Sequence, residues 1–220
     1  MILRSLAAAL AGLAMLGGAA SASSLIVNGG FEAGYSGFAT ELAPVAAPGG
    51  LGLWAEGRYA IAGTAPGREV PAFHPLFSGA PHSGSAFMAV NGAAAGSGLV
   101  WSTAAPLGVL PGTVYAFTGW ITLLYPDAPP SLSLAINGEE ILHFTPSATV
   151  GAWVPFTARW SSGTAETASI ALRNANRVAV GNDFGLDTLS FVAVPGPGPA
   201  PLLAAGLAGL FGLGRFRRRR

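Results

Sequence analysis

Ser131 to Phe144 reads SLSLAINGEEILHF, two alternating runs on either side of Asn137-Gly138. Asn-Gly supplies the positive φ angles of a tight two-residue turn, so this stretch predicts a β-hairpin. Upstream, Pro111-Gly112 is a turn, and Thr113 to Leu123 (TVYAFTGWITL) is the clearest long strand in the chain. One parity of it carries Tyr115, Phe117, Ile121 and Leu123, and the other Thr118, Trp120 and Thr122. Further strands are expected at Leu25 to Val27, Ser85 to Asn91, Leu99 to Ser102, Trp153 to Trp160, Ala168 to Arg173 and Asp183 to Val194. Pro155 pushes its strand towards a sheet edge or a bulge. Ala33 to Pro81, rich in Gly, Pro and Ala, reads as long loops with short strands whose aromatics, Trp54, Tyr59, Phe73 and Phe77, need somewhere to pack. No stretch between the chain ends has helical periodicity. The pattern therefore predicts an all-β fold, an antiparallel β-sandwich.

The ends differ from this middle. Met1 to Arg4 is a short charged start, Leu6 to Gly18 is apolar, and Ala20-Ser21-Ala22 is an Ala-x-Ala site, so residues 1–22 are expected to be a signal peptide. At the other end, from Val194, the chain reads VPGPGPAPLLAAGLAGLFGLGRFRRRR. A Pro/Gly spacer precedes the apolar run Ala200 to Gly214, which precedes a block with Arg215, Arg217, Arg218, Arg219 and Arg220. As a helix the apolar run is roughly 22 Å long, against about 30 Å of hydrocarbon, so it spans only by tilting little, thinning the bilayer or snorkelling its arginines. The Arg cluster stays on the cytoplasmic side, which leaves the middle of the chain outside. Residues 195–220 thus form a tail, and residues 23–194 a body the size of one domain.

The overall charge of +1 hides a division. All the basic residues are Arg. Five of them lie in the body, against all ten acids, so the body carries −5 and the basic cluster is a membrane device, not a nucleic-acid surface. With no cysteine, disulfides, zinc–thiolate sites and Cys nucleophiles are excluded, and stability rests on core burial.

The tail resembles the PEP-CTERM sorting signal. That resemblance implies recognition by an exosortase, a membrane transpeptidase, and a membrane-anchored stage before release to the cell surface or beyond. The sorting motif would be Val194, Pro195, Gly196 and Pro197 together with Arg217, Arg218, Arg219 and Arg220; the Glu usual in the motif is absent here.

Two motifs at opposite ends of the body, Asn28-Gly29-Gly30-Phe31-Glu32 and Gly181-Asn182-Asp183-Phe184-Gly185-Leu186-Asp187, resemble those of jelly-roll, galactose-binding-like carbohydrate-binding modules. SAFMAVNG (Ser85 to Gly92) and PGTVYAFTGW fit the same pattern, while Thr188 stands where the family often has a second acid. The resemblance implies a jelly roll whose first and last strands lie together, with a structural Ca²⁺ there held by Glu32 and Asp187 and by carbonyls near Asn28 or Gly30. Oxygen ligands in a loop-rich site suit that ion.

Catalytic spacing is missing. His74, His82 and His143 fall in dissimilar contexts without metal-ligand spacing, and the pair Glu139-Glu140 beside the hairpin turn reads as a solvated face. Aromatic rings in or near loops are the other resource, since flat rings stack on sugars; Trp54, Tyr59, Trp101 and Tyr125 are the candidates, although core packing is the commoner fate of such rings. The expectation is a non-catalytic exported protein whose sandwich binds, or is embedded in, polysaccharide. A purely structural surface or matrix protein without glycan affinity is the alternative, and a glycan hydrolase the third.

Overall fold

The alternation along the chain becomes a pair of facing ladders in the structure, a computed structural model that describes residues 23–45, 53–64, 80–147 and 149–195. The expected signal peptide, the apolar run and the sorting residues Gly196, Pro197, Arg217, Arg218, Arg219 and Arg220 lie outside the described residues, as do Phe73, Phe77 and His74. No helix occurs among the described residues, so none there is long and apolar enough to cross a membrane.

The strands are β1 (Phe38–Ala39), β2 (Ala43–Pro44), β3 (Arg58–Gly63), β4 (Ala86–Asn91), β5 (Leu99–Thr103), β6 (Leu107–Gly108), β7 (Val114–Leu123), β8 (Leu132–Ile136), β9 (Glu139–Phe144), β10 (Val154–Ser161), β11 (Thr167–Ala168), β12 (Ile170–Asn174) and β13 (Asp183–Ala193). One sheet runs β1-β5-β12-β8-β9 and the other β10-β7-β13-β4-β3-β2; β11 and β6 form a small third ladder. All pairings between these strands are antiparallel except β2 with β3, which is parallel. The chain is a jelly-roll β-sandwich.

The hairpin forms where the sequence places it. Asn137 and Gly138 take φ angles of 52° and 84° between β8 and β9, and the Asn137 side chain ties the turn to Ser169 N and Thr167 O. In β7, Tyr115, Phe117 and Ile121 face inward and are buried, whereas Thr118 is exposed. Phe117 meets Trp101 of the opposite sheet at a centroid distance of 6.4 Å and Phe156 at 5.9 Å. Leu132, Leu134, Ile136, Ile170 and Leu172 face Met88, Phe184, Leu186 and Phe191 across one apolar layer. Pro155 sits on β10, an edge strand, where a missing N–H costs least.

One expected strand is absent. Leu25 to Val27 is a bend running into a turn, because Asn28 takes φ 55° and its side chain gathers Gly34 O, Ser36 O and Ala33 N into a local knot. Leu25 still donates its N–H to Phe191 O, so the segment lies along β13 without forming a ladder, and Val27 is left 70% exposed. Gly29 explains why this approach is possible: a Cβ there would come within 1.9 Å of Leu189 O, and Leu189 N–H donates to Gly29 O at 2.8 Å.

Candidate functional site

The outer face of the five-stranded sheet is built from small residues. As Trp101, Leu134 and Leu172 turn inward, Ser102, Ala135, Ala171 and Arg173 turn outward. Short side chains on adjacent strands leave a depression of about 450 Å³, lined by Leu99, Ser102, Thr103, Ala135, Gly138, Ser169, Ile170, Ala171 and Arg173. Arg173 is its cation. Arg173 Nη1 donates to Ser97 O at 3.3 Å and to Ser97 Oγ at 2.6 Å. Ser97 Oγ in turn donates to Glu41, whose carboxylate also accepts from Ser97 N and Leu99 N. The Ser97 hydroxyl, and then those amides, hold the Glu41 carboxyl below the usual carboxylate range, against the opposing effect of burial. On β9, Glu140 lies opposite Ala135 and His143 opposite Ser133; the two form a 3.7 Å pair, both more than half exposed, and His143 Nε2 is 3.0 Å from Ser131 Oγ.

A second cluster forms where the two ends of the body meet. Glu32 accepts from Ser85 N (2.8 Å), Ser85 Oγ (2.6 Å) and Ala86 N (3.1 Å). Asp187 is wholly buried and accepts from Ser83 N at 2.9 Å and Thr188 N at 2.5 Å. Burial pushes its carboxyl up to about 6, and the amides of Ser83 and Thr188 pull back without prevailing. A Cβ on Gly30 would lie 3.8 Å from Asp187 Oδ1 and 4.0 Å from Glu32 Cγ, so both acidic side chains border the space that this glycine leaves open.

Beside them β13 carries a bulge: Asp187 pairs with Trp120 and Ser190 with Thr118, which sets Thr188 and Leu189 against one residue of β7. Thr188, at φ 53°, turns its hydroxyl to within 2.9 Å of His82 Nδ1 and 2.8 Å of Ser83 Oγ. The His82 ring stacks on Trp120 at 3.9 Å, with Trp153 edge-on, and burial lowers its basicity. Sequence reading missed His82, Ser83 and Ser85 as partners of these acids. The Ser83–Asp187 contact closes a separation of 104 residues, and no local pattern signals it.

The four aromatic candidates do not come together. Tyr59 is 6% exposed and packs on Tyr35 and Phe38, and Trp101 is 1% exposed between the sheets, so both belong to the core and neither can meet a sugar. Their strands point them inward. Tyr125 is half-buried, and Trp54, at 64% exposure, presents its ring to solvent.

Several solved structures are similar in fold. A cyclase from Fischerella sp. TAU matches over 81% of this chain and 100% of its own, at 15% identity and a TM-score of 0.51. The CBM22-1 xylan-binding domain of Paenibacillus barcinonensis Xyn10C matches over 80% of this chain and 94% of its own, at 15% identity and 0.43. A family 16 carbohydrate-binding module covers 76% of this chain and 99% of its own, at 16% identity and 0.43. At these identities the likeness bears on the fold alone, which enzymes and binding modules share. No protein-family model and no curated protein matches the sequence.

Proposed function

We propose that this protein is an exported, non-catalytic surface or matrix protein whose β-sandwich binds polysaccharide along the outer face of the five-stranded sheet. The 450 Å³ depression carries the reading. Its floor is Ala and Ser, which leaves room above the sheet, it lies on paired strands, and hydroxyls and a guanidinium border it. A glycan array probed with the protein, alongside Ala171→Trp to fill the floor, tests it. Binding that Ala171→Trp abolishes supports the groove. The alternative, a structural matrix protein without glycan affinity, also has an observation in its favour: none of the nine lining residues is aromatic, so no ring is there for a sugar to stack on. An array on which nothing is retained would favour that alternative.

Two further expectations belong to the same reading. An exosortase-type transpeptidase would act on the tail that begins at Val194 and Pro195. A structural Ca²⁺ would sit against Gly30, where Glu32 and Asp187 would hold it. The donor set suits a hard cation: Asp187 Oδ1 and the Glu32 side chain border one space, and burial raises the Asp187 carboxyl, as befits an acid lacking a countercharge. The ion would neutralise both and fasten the start of the body to its last strand. A chelator should then lower the melting temperature and Ca²⁺ restore it; a melting curve indifferent to both would remove the ion.

A further inference from the structure

We propose that the groove selects acidic polysaccharide, chains carrying uronate carboxylates, and that Arg173 is the selecting residue. This rests on the polysaccharide reading above and names its substrate class.

Arg173 lies on the central strand of the sheet, towards its end. β12 lies between β5 and β8, so a polymer crossing the face passes the guanidinium. The side chain is already held: Nη1 is fixed by Ser97 O and Oγ, and Ser97 is fixed by Glu41. Much of the rotamer entropy of an arginine is therefore lost before a ligand arrives, which favours binding through it. The anchoring uses Nη1 only, with neutral partners, and no ion pair joins Arg173 to a carboxylate among the described residues. The remaining N–H groups of the planar fork match a carboxylate in bidentate geometry. Arg177, the other guanidinium at this end of the sandwich, differs: both of its Nη atoms donate to main-chain carbonyls, Ala93 O and Gly96 O.

The opposing charges are placed so that they do not cancel this one. Glu140, with His143 beside it, lies on β9, two strands from β12. At about 4.8 Å per strand that is about 10 Å, close to one screening length in dilute salt. Glu41 stays ionised, but its carboxylate oxygens accept from the Ser97 hydroxyl and from the amides of Ser97 and Leu99, and Ser97 stands between it and the guanidinium. Next to Arg173 the floor is Ala171, with Ala135 and Ser102 beside it, so a pyranose ring can lie low enough for its carboxylate to reach the guanidinium. The body as a whole is acidic, so diffuse attraction to a polyanion is not available to it, and retention there must come from a local site.

The test is affinity electrophoresis through gels containing polygalacturonate or, separately, a neutral dextran. It uses the full chain with Arg215 and Arg217 to Arg220 replaced by Gln, so that the basic tail contributes nothing. Polygalacturonate should retard this protein and dextran should not. Arg173→Gln should weaken retention at least tenfold, Arg173→Lys should recover only part of it, and Arg159→Gln, on the exposed face of edge strand β10, should change nothing. Equal melting temperatures establish that the variants are folded. Retardation by dextran as strong as by polygalacturonate, or unchanged retention in Arg173→Gln, would overturn the acidic preference while leaving a polysaccharide groove in place. An equal loss in Arg159→Gln would show diffuse charge and overturn it too. A protein retained by neither gel and by no glycan on an array would take the groove reading down with it.

Discussion

Asp187 offers the sharpest test of the structure, because its carboxyl is at 0% exposure and no charged partner among the described residues offsets the burial. Its pKa rises from 3.8 to about 6 on folding. The folded state therefore holds a proton that the unfolded chain has released. That stabilisation is fully present below pH 3.8, falls as pH rises, and is gone above about 6. Two pKa units correspond to about 3 kcal/mol. Other carboxyls titrate in the same window, so the quantity to measure is a difference. In chelator, urea unfolding of the protein and of Asp187→Asn is followed at pH 4, 5, 6 and 7. Asn has the same shape and never ionises, so relative to wild type the variant should gain about 2 kcal/mol between pH 4 and pH 7, most of it below pH 6. A difference flat to within about 0.5 kcal/mol would mean that Asp187 is solvated or charge-paired and that the burial argument fails. Added Ca²⁺ sharpens the experiment. An ion that binds only the carboxylate holds it charged, returns its pKa towards the ordinary range and stabilises the folded state, by about 2.7 kcal/mol at a hundredfold excess over Kd.

Phe117→Ala should cost about 3–5 kcal/mol, because the ring is wholly buried against Trp101 and Phe156; a loss below about 1 kcal/mol in denaturant unfolding would mean that the inward face of β7 is the other one. Gly29→Ala should lower the melting temperature through backbone displacement, since its methyl would collide with Leu189 O, and unchanged melting would show that the N-terminal segment does not pack on β13. Glu32→Ala should destabilise by about 1 kcal/mol by leaving Ser85 N and Ala86 N without their carboxylate, and hydrogen exchange at those two amides should quicken; slow exchange in the variant would refute the cap. Intact mass of protein from the producing cell should lack Met1 to Ala22 and the Arg tail, and surface-purified protein that still carries Arg217 to Arg220 would sink the sorting proposal.

Local chemistry determined much of this protein before any contact formed. A strand repeats every two residues and Asn-Gly favours one turn geometry, so the β8–β9 hairpin, the inward parity of β7 and the sandwich class are legible within windows of a dozen residues. The charge division between an acidic body and a basic tail is likewise a property of composition alone. Fates that depend on distant partners were not legible. Tyr59 and Trp101 are open to either fate in the sequence, in the core or against a sugar; pairing across the sheets decided that they are core. Leu25 to Val27 has the residues of a strand, yet Asn28 turns the chain before a ladder forms. The groove draws its wall from β5, its floor from β8 and β12 and its cation from β12, joined only by the order of strands in the sheet. The environment of Asp187 is the clearest case. Its carboxyl is an acid in any reading of the sequence, but its raised proton affinity comes from exclusion of water, opposed by the Ser83 amide 104 residues away and by Thr188 beside it, and desolvation is a property of the packed tertiary structure.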